Sequence, residues 1–162
     1  MVWLGFAYRE GHGVPEDHET AVDWFIKAYD AGDEHACIHA ARMLQSYLNR
    51  ANEAIDWYQR GADADQSEAY IGLASIYDDR NSGCFNPTEA VKWYQTAVAE
   101  KGASVARCLL ALAHHYRNGD GVPQSPEIAR CWLERLFSET SPQNRFHRDG
   151  LKLKAELDSD LL

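Results

Sequence analysis

Basic side chains are scarce in the first half of this sequence, no long apolar run occurs, and no cysteines are spaced as a CxxC pair. The 162 residues include 16 Lys and Arg against 25 Asp and Glu, a formal net charge of −9. Binding nucleic acid or an anionic membrane needs clustered Lys and Arg, so neither is expected as a partner. Residues 1–81 hold 15 acidic and 6 basic side chains, whereas residues 82–162 hold 10 of each. The excess charge is therefore confined to the first half, where it can keep the surface solvated or steer a basic partner. Without a run of about 18 apolar residues, no membrane-spanning helix is expected. The opening MVWLGFAYREGHGV has neither a basic n-region nor a long apolar h-region. A cytoplasmic location is expected, or a periplasmic one if a signal segment has been removed. Cys37, Cys108 and Cys131 fall in apolar helical patterns, where a thiol packs as a small hydrophobe, and with Cys84 they are expected to be reduced.

What the sequence does have is a repeat. Trp24, Trp57, Trp93 and Trp132 recur at intervals of 33, 36 and 39 residues, each preceded at three positions by Ala21, Ala54, Ala90 or Ala129. Tyr8, Tyr77 and Tyr116 lie sixteen residues before three of these tryptophans. Leu44 takes the Tyr place in the second repeat, thirteen before Trp57, so a three-residue deletion explains the short interval. About one extra helical turn near Lys101–Val105 explains the long one. The loops Tyr8-Arg-Glu-Gly11-His-Gly13-Val14-Pro15 and Tyr116-Arg-Asn-Gly119-Asp-Gly121-Val122-Pro123 carry strong turn chemistry. Gly11 and Gly119 suit a left-handed helix end, the second glycines allow another unusual backbone angle, and proline bars renewed helix. Asp17, Asn86 with Pro87 and Glu89, and Ser125 with Pro126 read as helix starts, and Ser141-Pro142 repeats the signal. The third repeat has Arg80-Asn81-Ser82-Gly83-Cys84 in place of the glycine pair.

Each second helix places apolar residues at helical spacing, such as Ala21, Trp24, Phe25 and Ala28, with the Trp expected to fill the wedge between repeats. A two-helix unit of this kind cannot bury both faces alone, so the copies must stack. The expected fold is all-α: a right-handed α-α superhelix of about four helix–turn–helix repeats plus a C-terminal capping helix. The repeats span residues 1–33, 34–65, 66–102 and 103–138. Residues 139–162 form the cap and tail of one solenoid domain. Phe146, Gly150, Leu153 and Leu157 share the face with which that cap would cover the last repeat, and the chain from Asp158 onward is expected to fray.

These residues resemble the Sel-one-like repeat family, a branch of the tetratricopeptide-like solenoids. Its motif runs as a small residue, Leu-Gly-x-x-Tyr, Gly-x-Gly-Val, a proline or polar cap, Ala-x-x-Trp-Tyr and a closing Ala-Gly. Leu4-Gly5-Phe6-Ala7-Tyr8 through Ala31-Gly32 matches nearly throughout, Cys108 through Trp132 matches well, and the second repeat diverges most. The resemblance covers about residues 1–138. It implies a protein-binding solenoid with first helices on the concave face, and a first helix that begins earlier than Met1 does here. Another repeat before Met1, or a trimmed chain, is therefore expected. The disulfide framework of cysteine-rich relatives is not reproduced, because Cys131 precedes Trp132 instead of following the Trp-Tyr pair.

Catalytic signals are thin. His35 and His39 share a helical face, but no third ligand and no HExxH motif accompany them, so no metal or other cofactor is expected. The glycine loops lack the Lys-Ser/Thr of a phosphate loop. Some relatives have been called β-lactamase-like, which needs Ser with Lys three residues on. Here Ser67 is followed by Tyr70, Ser75 by Asp78 and Ser104 by Arg107. No enzymatic activity is expected.

Binding is then read from what stays exposed. With Ala36, Ala69 and Cys108 as position zero, positions three, six and nine to ten of each first helix face solvent. They supply the concave-face candidates Phe6, Arg9, His39, Arg42, Asp78, His114 and Arg117, with Trp3, Gln45, Ser75, Asp79 and Asn118 beside them. His115 aligns with Met43 and Ile76 and is expected to be half buried. Aromatic, Arg and His side chains are typical of protein interfaces. A second candidate is an acidic edge of Asp30, Asp33, Glu34, Asp63, Asp65 and Glu68 at the inter-repeat turns, suited to a basic partner. The expected function is a bacterial adaptor, scaffold or inhibitor that clasps a protein or peptide on its concave face. The family resemblance adds a narrower alternative, an immunity protein neutralising a type VI secreted effector such as a lipase. Self-association through the N-terminal face is a third reading.

Overall fold

The computed structural model describes residues 1–100 and 105–159. Among these residues all regular structure is helical, in the order α1 (Val2–Glu10), α2 (His18–Asp30), α3 (Ala36–Ser46), α4 (Ala51–Asp63), α5 (Ser67–Asp78), α6 (Pro87–Ala99), α7 (Val105–Asn118), α8 (Pro126–Glu139) and α9 (Arg145–Ser159). The class is the all-α solenoid. Packing divides the chain into two compact units, Met1–Phe85 and Asn86–Leu162, with the division between the helices of the third repeat. The extra turn expected near Lys101–Val105 lies outside the described residues, except at Val105.

Local chemistry sets the helix ends. Gly11 closes α1 in the left-handed conformation (φ 69°), and Gly13, Gly119 and Gly121 also have positive φ. Asp17 accepts the Thr20 backbone N–H, Asn86 that of Glu89 and Ser125 that of Ile128, with Pro87 and Pro126 inside the helix starts. Ser141-Pro142 does not start α9. The Asn144 N–H bonds the Ser141 carbonyl in a turn, the Asn144 side chain accepts the Phe146 N–H, and the helix begins at Arg145. A cap-plus-proline signal thus serves a turn here, because both need an early polar acceptor and a fixed φ. Asp158 and Ser159, expected to fray, are still helical.

In the first unit, consecutive helices α1 to α5 pack pairwise and α3 also meets α5. The expected Trp wedge needs correction. All four repeat tryptophans are half-buried, and the fully buried residue is the next one: Phe25 at 0%, Tyr58 at 2%, Tyr94 at 2% and Leu133 at 1% exposure. Small residues make room for it. A Cβ on Gly5 would lie 2.6 Å from the Phe25 ring, and one on Gly72 would collide with the Tyr58 ring. Trp57 sits further out, edge-on to Tyr29 of the preceding repeat at 5.5 Å, with the Arg60 guanidinium 4.0 Å from its ring.

In the second unit, α6, α7 and α8 pack in succession, and α9 lies on α7 and α8. Gly150, Leu153 and Leu157 are buried, and a Cβ at Gly150 would lie 2.8 Å from Leu136. Arg130 on α8 donates to the Leu157 carbonyl at 2.7 Å, tying down the end of α9. His115 is more buried than expected, at 5% exposure, with Nδ1 2.9 Å from the Asp120 carbonyl.

Candidate functional site

Within the first unit, α1 and α3 bring four of the concave-face candidates together. Phe6 is half-buried and meets Phe25 edge-on at 5.2 Å and His39 at 4.9 Å, while His39 also lies against Phe25 at 5.2 Å. His39 was expected to face solvent. It is half-buried instead, because position three of α3 packs on the aromatic residue of the preceding repeat, as position three of α5, Gly72, does on Tyr58. Burial lowers the His39 pKa, the nearby Arg42 and Arg9 lower it further, and Asp33 opposes them. The ring is therefore neutral near pH 7, with two guanidinium groups close enough to act on it.

Around this cluster the surface is open. Trp3 is 69% exposed and Met1 54%, and both line a shallow pocket with Val2, Ala28, Ala31 and Asp33. Arg9 stacks over Phe6 at 4.7 Å and pairs with Glu10 at 2.6 Å. Arg42 is exposed. The remaining first-helix candidates lie elsewhere. Gln45 accepts the Tyr58 hydroxyl at 3.0 Å, Ser75 and Asp78 are half-buried, and the Asp79 side chain accepts the Asn81 N–H. On α7 of the second unit, His114 is exposed, the Asn118 side chain meets that of Asp120, and Arg117 forms an ion pair with Glu156 of α9. Arg117 is thus already taken by the capping helix.

The acidic candidates sit on two turns of the first unit. Asp30, Asp33, Glu34, Asp63 and Asp65 are exposed and Glu68 is half-buried. A residue that sequence reasoning missed joins the turns: buried Gln66 donates to the Glu34 carbonyl at 3.0 Å, and the Cys37 thiol donates to the same carbonyl at 2.9 Å. A lone Gln before a helix gives no sequence signal of such a brace. Asp65 has φ 53°, which a short polar side chain tolerates, and it accepts the Tyr70 hydroxyl at 3.2 Å.

For chemistry the arrangement offers little. Burial raises the pKa of Cys37 and pushes that of Cys108 to about 11, so neither is a thiolate at neutral pH. All four cysteines are free, but Cys131 is exposed and does not pack as the expected small hydrophobe. Exposed His35 stands at the start of α3, and among the described residues no group of three or more His, Cys, Asp or Glu is placed to hold a metal.

The Sel1 repeat family matches residues 1–33, 49–66, 67–101 and 105–138. The chain belongs to the Sel1 repeat family. Sel1 repeats are protein-interaction modules, typically non-catalytic. Among solved structures, a Sel1 repeat protein from Oxalobacter formigenes superposes with a TM-score of 0.67 at 23% identity, covering 86% of this chain and 58% of that one. A protective antigen of uropathogenic Escherichia coli, c5321, which displays the same repeat fold, gives 0.73 at 20% identity, covering 99% and 33%. At such identities the likeness concerns the fold alone. Chitin synthase regulatory factor 3 of Schizosaccharomyces pombe is 28% identical over 102 residues, covering 62% of this Sel1 repeat chain but 11% of that protein. The chain thus spans less than two thirds of the length of each of these relatives.

Proposed function

We propose that this chain is an adaptor, scaffold or inhibitor whose protein partner docks on the first-helix side of the first unit, at Trp3, Phe6, Arg9, His39 and Arg42. One observation carries this reading: a tryptophan 69% exposed stands on the same helix as Phe6, which packs on His39 of α3, the helix that also carries exposed Arg42. Large rigid aromatics and arginine give the most binding energy per residue at interfaces. The test is affinity capture with mass spectrometry, repeated with Trp3→Ala/Arg42→Glu. The face variant should lose the partner while its melting temperature stays within a degree or two of the parent. A partner held equally by both proteins refutes the assignment.

A basic partner is the second reading, favoured by the exposed carboxylates on the two turns that Gln66 joins through the Glu34 carbonyl. An inhibitor of a secreted effector such as a lipase would use this edge if the effector presents a basic rim. Changing Asp30, Asp33, Asp63 and Asp65 to Asn, with Glu34 and Glu68 to Gln, should then abolish capture; unchanged capture removes the acidic edge from consideration. Free thiols, two of them buried, suit a reducing compartment, so the cytoplasm is the location we propose.

A further inference from the structure

We propose that the side of the first unit marked by Trp3 and Trp24 binds an α-helix of a partner protein that carries two aromatic side chains four residues apart, seated as α2 is seated on α3 and α4. The proposal shares Trp3 with the reading above but not Arg9, His39 or Arg42, so either can fail alone.

One contact recurs through the stack of the first unit. The buried aromatic of each second helix touches position three of the first helix in the next repeat. Phe25 lies 5.2 Å from His39 of α3, and a Cβ on Gly72 of α5 would collide with the Tyr58 ring. His39 is accordingly half-buried and Gly72 buried. Trp3 holds position three of α1, has no such ring against it among the described residues, and is 69% exposed.

A second contact lies one turn further along the same helix. Trp57 of α4 meets Tyr29 of α2 edge-on at 5.5 Å, and Arg60 lies over both rings, 4.0 Å from Trp57 and 5.7 Å from Tyr29. The counterparts of Trp57 and Arg60 in the first repeat are Trp24 and Lys27, with the Lys27 ammonium 4.7 Å from the Trp24 ring. Trp24 is half-buried, and among the described residues no second ring completes its pair with Lys27.

Phe25 and Tyr29 therefore define what an occupant must offer. Four residues apart, they share one face of α2 about 6 Å apart along its axis. His39 and Trp57 take that face, and Trp3 and Trp24 stand at the equivalent places one repeat earlier. Tryptophan at both places suits an interface, where it is among the residues that contribute most. A second copy of this chain has no such helix free, because Phe25, Tyr58, Tyr94 and Leu133 are at most 2% exposed and α9 lies on α8. The occupant is thus a helix of another protein.

The test uses fluorescein-labelled helical peptides of about 15 residues, stapled because unstapled helices of that length are marginal in water, and read by anisotropy. One carries Phe and Tyr at i and i+4 on an uncharged Ala–Gln background. The others replace Phe by Ala, or move Tyr to i+2, which faces the other way on a helix but the same way on a strand. The i, i+4 peptide should bind at least about tenfold more tightly than either, a difference of about 1.4 kcal/mol. Trp3→Ala and Trp24→Ala should each weaken it severalfold, whereas Arg42→Glu, and Arg135→Glu on α8, should leave it unchanged. Trp3 is exposed, so its variant tests the site even if a thermal melt shows that Trp24→Ala harms the fold. No binding of the i, i+4 peptide, equal binding of the i+2 form, or binding indifferent to Trp3→Ala overturns the proposal. A concentration-dependent dimer that Trp3→Ala dissolves gives the face to a second copy and overturns it too. Capture of a partner that is lost with Arg42→Glu, with no binding of the i, i+4 peptide, leaves the first-helix reading standing alone. Peptide binding that needs Trp3 and Trp24, with capture untouched by Arg42→Glu, supports the helix site and removes Arg42 from the first-helix reading.

Discussion

In the first unit, Trp3 and Arg42 on the first helices are exposed; in the second, Arg117 on α7 is paired with Glu156 of the capping helix α9. The same unevenness appears in charge, since residues 1–81 carry the entire net excess of acid and residues 82–162 are balanced. The two units still share their buried pattern, with Phe25 and Tyr58 in one and Tyr94 and Leu133 in the other at equivalent places. Selection for stacking acts on the buried positions and the turns, so these repeat. Surfaces are free to diverge, and the divergence marks where binding is to be sought.

The largest expected effect sets two equivalent glycines against each other. Gly13 (φ 78°) and Gly121 (φ 75°) occupy the same place in their turns. A Cβ at Gly13 would meet nothing within 4 Å, whereas one at Gly121 would lie 2.5 Å from the Thr88 nitrogen at the start of α6. Gly13→Ala should therefore cost only the left-handed backbone term, about 1–2 kcal/mol. Gly121→Ala adds a collision with backbone that cannot rotate away, for a total of about 3 kcal/mol or more. Urea unfolding of the two variants measures the difference. Equal losses would mean that Gly121 is kept for its φ alone and that its turn does not pack on α6.

Such turns were readable in the sequence because their chemistry is local. Gly11 and Gly119 announce left-handed helix ends, and Asp17, Asn86 and Ser125 announce helix starts, within a few residues of the groups they satisfy. Packing was less readable. The repeat alignment makes His39 a solvent-facing position of α3, but cannot show that Phe25 of the preceding repeat occupies the space beside it. The Gln66 brace, the exposure of Cys131 and the claim of Glu156 on Arg117 depend on residues 32 or more positions distant, or on which face a neighbour covers. The concave-face list therefore had no means to foresee that α9 engages Arg117.

A smaller effect compares the caps. Ser125→Ala should destabilise the protein by about 1 kcal/mol at any pH from 4 to 8, because a hydroxyl acceptor does not titrate. Asp17 does the same work with a carboxylate whose pKa is held below 3.8 by the Thr20 N–H and hydroxyl. A depressed folded-state pKa gives stability that is present above the unfolded value and lost as pH falls through the folded one. Asp17→Ala and the parent should thus converge in stability on acidification below pH 4, and the Ser125 variant should keep its deficit. Parallel curves for both variants would show that ionisation of Asp17 adds nothing to the cap.

The smallest effect separates His39 from its equivalent in the second unit, Ala111, which cannot titrate. His39 faces Phe6 and Phe25 together with Arg42, Arg9, Asp33 and His35, and its pKa is lowered first by burial and then by the two arginines. Above pH 6.5 the imidazole is neutral in both folded and unfolded chains, so stability there is unaffected. Below that value the unfolded chain takes up the proton first, and stability falls with pH until the folded ring is protonated too. His39→Gln should flatten this part of the stability–pH curve, measured as melting temperature between pH 7.5 and 5, without altering the Gly121 or Ser125 effects. If the slope is the same with and without His39, the ring titrates as it would in water. The cluster would then be open enough for solvent to screen it.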